Sequence, residues 1–253
     1  MNVSELALGA YTKLHAAFGS DQDQLLSQLL GYEHPQRDRA QPNGPHEFIY
    51  DLQERDFSRE LINTFNRYAY RLNRLALWEK VLRDDAEDEV HELRLEFTEL
   101  PLDDCLHAPY SFKSRIIFCA TQLCYTKAIF DHLITKDRMK PAEKINIAAL
   151  RAVANHWPAG LLLIESLEAI DDDRHRELTG NYRNKAQHRH PPRLDHGYTA
   201  DIVRNVKPSS VSYSFGETPP LNTNNLLPVL ADQAKLMVAG FFAYRALVDE
   251  HRA

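Results

Sequence analysis

The sequence is poor in the residues on which specialised scaffolds depend. Its 253 residues include three cysteines, three methionines, two tryptophans and nine glycines. Three cysteines, at 105, 119 and 124, cannot form a fully paired disulfide framework, and so low a count fits a reducing compartment. Cys119 and Cys124 fall in a strongly apolar run and read as small buried hydrophobes. With so few glycines, few loops can bring backbone close to a ligand. There is no Gly-x-x-x-x-Gly-Lys phosphate loop, no Gly-x-Ser-x-Gly elbow and no glycine-rich strand-to-helix turn. Nucleotide-loop, esterase-type and dinucleotide-binding readings therefore find no support. No apolar run reaches about 18 residues, so no membrane span is expected. Met1-Asn2-Val3-Ser4-Glu5 lacks a basic start leading into an apolar segment. The expectation is a cytoplasmic protein without a secretory signal.

An excess of positive charge is also missing. The formal net charge is -6, which argues against wholesale coating of nucleic acid. The distribution is uneven, however. Between Arg174 and Lys207 lie eight Lys/Arg (174, 176, 183, 185, 189, 193, 204, 207) against three acids (177, 195, 201). That segment carries +5 and the remainder -11. Four histidines (175, 188, 190, 196) lie in it as well. A local basic patch on an acidic protein suits one anionic site. A solvated basic helix end would give the same count.

What the chain does contain is helical periodicity. Phe57, Leu61, Phe65, Tyr68, Leu72 and Leu75 recur in steps of four and three, which predicts one long helix running to Leu82 or beyond. Phe112, Ile116, Cys119, Leu123, Thr126, Phe130 and Leu133 repeat likewise. Apolar neighbours there predict a central helix with Ser111 as its N-cap. Residues 142–155 read as a helix opened by Pro141, broken or kinked at Trp157-Pro158 and resumed at 161–170. The triplet Asp171-Asp172-Asp173 suits the start of a helix from about Arg174 to Arg189, with Gly180 a possible kink. Leu226, Leu230, Ala234, Met237, Phe241 and Val248 mark the apolar face of a final helix capped at Thr223-Asn224-Asn225. Ile202-Val203 and residues 211–215 have strand propensity and predict a small β-hairpin near 201–215. Residues 4–18 and 21–30 suggest two short helices, and 33–45 a polar, proline-containing linker. The acidic tract 84–92 reads as a solvated face or a break. The resulting expectation is an all-α, up-and-down helical bundle over 46–253 with an N-terminal helical extension and linker over 1–45.

The densest chemistry lies in Tyr182-Arg183-Asn184-Lys185-Ala186-Gln187-His188-Arg189-His190-Pro191-Pro192. Arginine can hold a phosphate through its forked, permanently charged guanidinium. Histidine can move protons near neutral pH. Those are two needs of RNA cleavage without a metal. Asn184 and His188, four apart, share a helix face. Arg183 and His188 stand about 140° apart around an ideal helix, a separation that a long, flexible side chain can reduce. The two prolines force the helix to end just beyond His188.

These residues resemble the HEPN superfamily, whose members combine a helical bundle with an Arg followed after four to six residues by His, commonly with a polar residue next to the Arg. Arg183, Asn184, three spacers and His188 match that pattern. In helix order the likeness spans roughly 50–250, in residue detail only 183–188. The resemblance implies a metal-independent endoribonuclease that dimerises so that both motifs face one cleft. His188 would be the general acid–base at the ribose 2′-OH, Arg183 would hold the scissile phosphate, and Asn184 would orient one of them. Lys185, Arg189, His190 and Arg193 would bind RNA around them. The products would be a 2′,3′-cyclic phosphate, or its opened form, and a 5′-hydroxyl. Toxin or defence roles and a cognate antitoxin or regulatory partner belong to the same analogy.

Two other readings compete. In a non-catalytic interaction module, Arg183 pairs with Glu177 or an acid of 171–173, and His188 serves as a helix-end cap. In a metal site, His188, His190, His196 and Asp195 would be ligands, but their spacing matches none of the established zinc patterns. No metal or other cofactor is expected.

Overall fold

The computed structural model describes residues 8–9, 11–14, 16, 29–32, 44–82, 93–136 and 139–253, with only the backbone of Glu96 and Asp201. Residues 33–43 of the expected linker, the acidic tract at 84–92 and most of the expected helix at 21–30 lie outside the described residues; Pro45, placed at the linker's end, opens the first helix. The described chain is mostly helical, with a single antiparallel hairpin. Its elements are α1 (Pro45–Leu82), α2 (Leu100–Phe130), α3 (Ile147–Ala154), α4 (Pro158–Ala169), α5 (Asp173–Leu178), α6 (Tyr182–His188), β1 (Thr199–Lys207), β2 (Ser210–Thr218) and α7 (Thr223–Glu250).

α1 follows the expected stripe, with Leu61, Phe65, Tyr68 and Leu75 buried. α2 departs from expectation at its start. Ser111 lies inside the helix rather than capping it, because the apolar stripe continues upstream through Leu102, Cys105 and Leu106, all buried. A five-residue π turn (Leu95–Glu99) leads into α2. Pro101 accounts for it: proline has no N–H for the carbonyl four residues back, and its ring crowds that carbonyl, so the turn widens. Pro109 also sits within α2.

The helix expected over 142–155 is shorter than its sequence suggests. Ala142–Lys144 forms a 3₁₀ turn, and α3 starts only after Asn146, whose side chain accepts from the Ala149 N–H at 3.0 Å. Trp157-Pro158 does break the run, and Pro158 opens α4. α3 and α4 approach so closely that a Cβ on Gly160 would lie 2.2 Å from the Ala154 carbonyl oxygen. At the start of α7 the capping side chain is Asn222, which accepts from the Asn225 N–H at 3.2 Å. α7 is the one described helix long and apolar enough to cross a membrane by length and composition, although no uninterrupted apolar run marks it. Its Leu226, Leu230, Met237, Phe241, Tyr244 and Val248 are buried, and Ala234 is half-buried.

The chain divides into two compact units. One comprises Met1–Asp23, Arg71–His107 and Asp173–Ala231; the other comprises Gln24–Tyr70, Ala108–Asp172 and Asp232–Ala253. The core of the first contains Leu14, Leu77, Trp78, Leu82, Leu93 and Phe97. Trp78 stacks on Phe97 at 4.5 Å, and the Tyr11 ring stands edge-on to both. Beside this core, buried Glu79 accepts two hydrogen bonds from Arg94 (3.0 and 3.2 Å) and one from Asn224 (3.1 Å). Burial pushes the Glu79 carboxyl up and the Arg94 charge opposes that rise.

The second unit buries Leu61, Phe65, Phe112, Ile116, Leu123, Leu150, Leu163 and Tyr244. Its polar centre is Glu54, which accepts from Ser58 and Arg245 at 2.9 Å and from Arg252 at 3.0 Å. Nearby, the Tyr50 hydroxyl lies 2.6 Å from His251 Nδ1. Cys124 Sγ is 3.8 Å from Nε2, and the imidazole packs on Trp157 with ring centres 4.3 Å apart. Burial drives the His251 imidazole down to about 3, and Lys127 and Arg252 reinforce the shift. All three cysteines are free and buried. Desolvation raises Cys105 and Cys119 to about 12.

Candidate functional site

Every residue of the basic segment belongs to the first unit. The single helix expected over 174–189 is two. α5 begins within the aspartate triplet, and Asp173 pairs with Arg176 at 3.0 Å. It ends at Leu178 because Gly180 (φ 59) and Asn181 (φ 54) both adopt the left-handed conformation. Glycine takes that conformation freely and asparagine tolerates it. The orphan carbonyls of α5 are satisfied within the turn: the Gly180 N–H donates to Glu177 O and the Asn181 N–H to Arg176 O. This pattern is a helix C-cap, not a kink within a helix.

α6 restarts at Tyr182, and Tyr182 fixes it in place. Its ring is buried and meets the His107 ring edge-on at 5.8 Å. Its hydroxyl donates to Asp103 Oδ1 at 2.8 Å. Burial and that acceptor raise the phenol well above its ordinary range, so it remains a donor. α6 closes where the prolines require. Arg189 is extended, and its N–H donates to Lys185 O at 2.7 Å.

The loop after α6 is tied at several points. The Thr199 hydroxyl accepts from the Arg193 N–H and donates to Pro191 O, each at 3.0 Å. Leu194 and Leu221 form a parallel bridge. Asp195, also left-handed at φ 57, accepts from the Thr223 N–H at 2.7 Å and the Thr223 hydroxyl at 2.5 Å. Arg94 lies 3.7 Å from the same carboxylate. The sequence pointed to no role for Asp103 or Thr199, and to Asp195 only as a ligand in the competing metal reading. Each acts through a partner 6 to 79 positions away, and no local spacing reveals it.

These restraints place the motif residues as follows. Asn184, Lys185, His188 and Arg189, with Asn181, line one open pocket of about 370 Å³. His188, Asn184 and Arg189 are exposed and Lys185 is half-buried. His190 and Arg193 line a second pocket, of about 530 Å³, with Glu99, Tyr182, Pro191, Pro192, Tyr198 and Thr199. Arg193 also borders a third, of about 280 Å³, with Arg94, Glu99, Asp195 and His196. Arg183 is half-buried and lines none of the three. The arginine that shares a pocket with His188 is Arg189.

An exposed imidazole, two amides and two cations in one concavity can bind an anionic oxygen and exchange a proton with it. No carboxylate lines that pocket to neutralise the cations. No protein-family model, no curated protein and no solved structure matches this chain.

Proposed function

We propose that the protein is a metal-independent endoribonuclease of HEPN type, acting on RNA as a homodimer with His188 as its general acid–base. The observation that carries this reading is the shared pocket of His188, Asn184, Lys185 and Arg189, in a segment rich in cations. Lys185 and Arg189 would hold the phosphate flanking the scissile bond, with Arg193 and His190 following the strand. Arg183 keeps the phosphate role that the resemblance assigns it, and Arg189 is the alternative carrier of that role. His188 would take the 2′-OH proton as that oxygen attacks phosphorus, and an acid would return a proton to the departing 5′-oxygen. DNA has no 2′-OH and would survive.

A second reading, a non-catalytic RNA- or protein-binding module, draws on one observation: Arg183 is absent from the pocket that holds His188. The experiment that separates the two is incubation of the protein with labelled RNA and matched DNA in EDTA, beside His188→Ala, Arg183→Ala and Arg189→Ala. The expected outcome is RNA cleavage with cyclic-phosphate ends, reduced about 10²–10⁴-fold in His188→Ala with unchanged melting, since His188 is exposed. Whichever arginine variant loses activity identifies the phosphate ligand. Parent-level cleavage by His188→Ala would sink the catalytic assignment. RNA binding without cleavage would favour the module.

A further inference from the structure

The hairpin is built as an amphipathic surface whose apolar face stays exposed among the described residues. Its register pairs Ile202 with Phe215, Arg204 with Tyr213 and Val206 with Val211. Cross-strand partners share a face, and side chains alternate along each strand, so these six residues lie together. Five of them are large and apolar, yet Ile202 is 65% exposed, Phe215 79%, Tyr213 57%, Val206 64% and Val211 48%. The opposite face pairs Val203 with Ser214 and Asn205 with Ser212, and is largely polar. A two-stranded hairpin with no packed face is marginal in water, and an apolar patch of this kind marks a contact surface.

We infer that this face is the contact surface between two copies of the chain. The pattern along the hairpin is self-complementary. The end near the strand base carries the bulkiest pair, Ile202 and Phe215; the end near the turn carries the smaller pair, Val206 and Val211. A two-fold axis across the hairpins, through the Arg204–Tyr213 row, lays each bulky pair over the small pair of the second copy. Such an axis gives the isologous contact that closes a dimer. Each Arg204 can then reach diagonally over the Tyr213 ring of the other copy, a favourable cation–π arrangement. The area also suffices. Scaling aromatic side-chain areas of about 150–250 Å², with somewhat smaller aliphatic ones, by the exposures gives on the order of 500 Å² per copy. Two copies cover about 1,000 Å², the threshold for a specific interface. RNA is a poorer occupant: Ile202, Val206 and Val211 offer no ring for bases to stack on, and Glu217, on the same face, repels phosphate.

The inference does not rest on the ribonuclease reading, and its test contains no RNA. Nuclease-treated full-length protein is sedimented over a wide concentration series. The expected result is a reversible dimer of the 29.1 kDa chain. In Ile202→Ser/Phe215→Ser the dimer dissociation constant rises at least tenfold, with an unchanged far-UV spectrum. A short bis-maleimide supplies the second readout, since the three native cysteines are buried. Tyr213→Cys should cross-link to itself, and Val203→Cys on the opposite face should not. A monomer at every concentration, a dimer indifferent to the double substitution, a dimer that forms only when RNA is added, or equal cross-linking from both faces would each overturn it.

Discussion

His251 shows how much a single buried side chain can say about acid stability. Its imidazole is held by Tyr50, Cys124 and Trp157, a setting that desolvates the ring and disfavours its charged form. The folded value is about 3, against 6.5 for the free side chain. Between those values the unfolded chain binds a proton that the folded chain does not. By linkage, stability therefore rises with pH across that window and is lost as pH falls from 6.5 towards 3, by at most about 1.4 kcal/mol per pH unit. His251→Gln should flatten this dependence. Urea unfolding at about pH 7 and about pH 4.5 should show the variant losing roughly 2 kcal/mol less than the parent on acidification. Equal losses would place the acid sensitivity elsewhere. None of this was legible in the sequence, where His251 is one of twelve histidines and its partners lie 94 to 201 positions away. The burial of Cys119 and Cys124 was legible, because their apolar neighbours recur at helical spacing.

Whole elements were easier to read than the joints between them. α1, the body of α2 and α7 follow directly from apolar steps of four and three, since that period places one stripe towards a core. Prolines and left-handed residues, by contrast, act through their surroundings. Ser111 suggested a later start for α2, but the apolar stripe runs back through Leu106 and Leu102, and Pro109 does not break the helix. Gly180 looked like a kink, yet with Asn181 it ends one helix and Tyr182 begins another. That joint makes a firm prediction. Gly180→Ala forces a Cβ into the left-handed conformation at φ 59, within 3.4 Å of Pro192 Cγ, and should cost about 1–2 kcal/mol, measured by urea unfolding. A neutral result would mean that α6 can dock without that turn. The motif was legible as a string of residues, and its pocket was not. Helix geometry puts Asn184 beside His188, but only the extended Arg189 at the end of α6 puts a guanidinium there.

At the scale of the whole molecule, the hairpin is an exposed part of the first unit that adds nothing to that unit's core. The expectation of strands near 201–215 was sound in kind; pairing extends it to Thr199–Lys207 and Ser210–Thr218. Thr199 opposes Thr218 at its base, so a two-residue link can replace 200–217 while sparing the Thr199 hydrogen bonds that hold Arg193 and Pro191. Because Ala200 and residues 202–217 are exposed, the melting temperature of the shortened protein should stay within about 2 °C of the parent. The comparison belongs at concentrations where both are monomeric. A larger drop, read by circular dichroism, would show that the hairpin supports the fold it projects from.

The two tryptophans fall one to each compact unit. Trp78 is sealed against Phe97 in the first, and Trp157 lies against His251 in the second. Each unit thus carries its own fluorophore. Replacing either indole with phenylalanine leaves an emission signal from a single unit, so melting of each can be timed without an added label. Trp157 has a further use, since a protonated imidazole quenches indole light: with the neighbouring His156 ring, 5.7 Å away, replaced by glutamine, its brightness in acid would record when His251 finally accepts its proton.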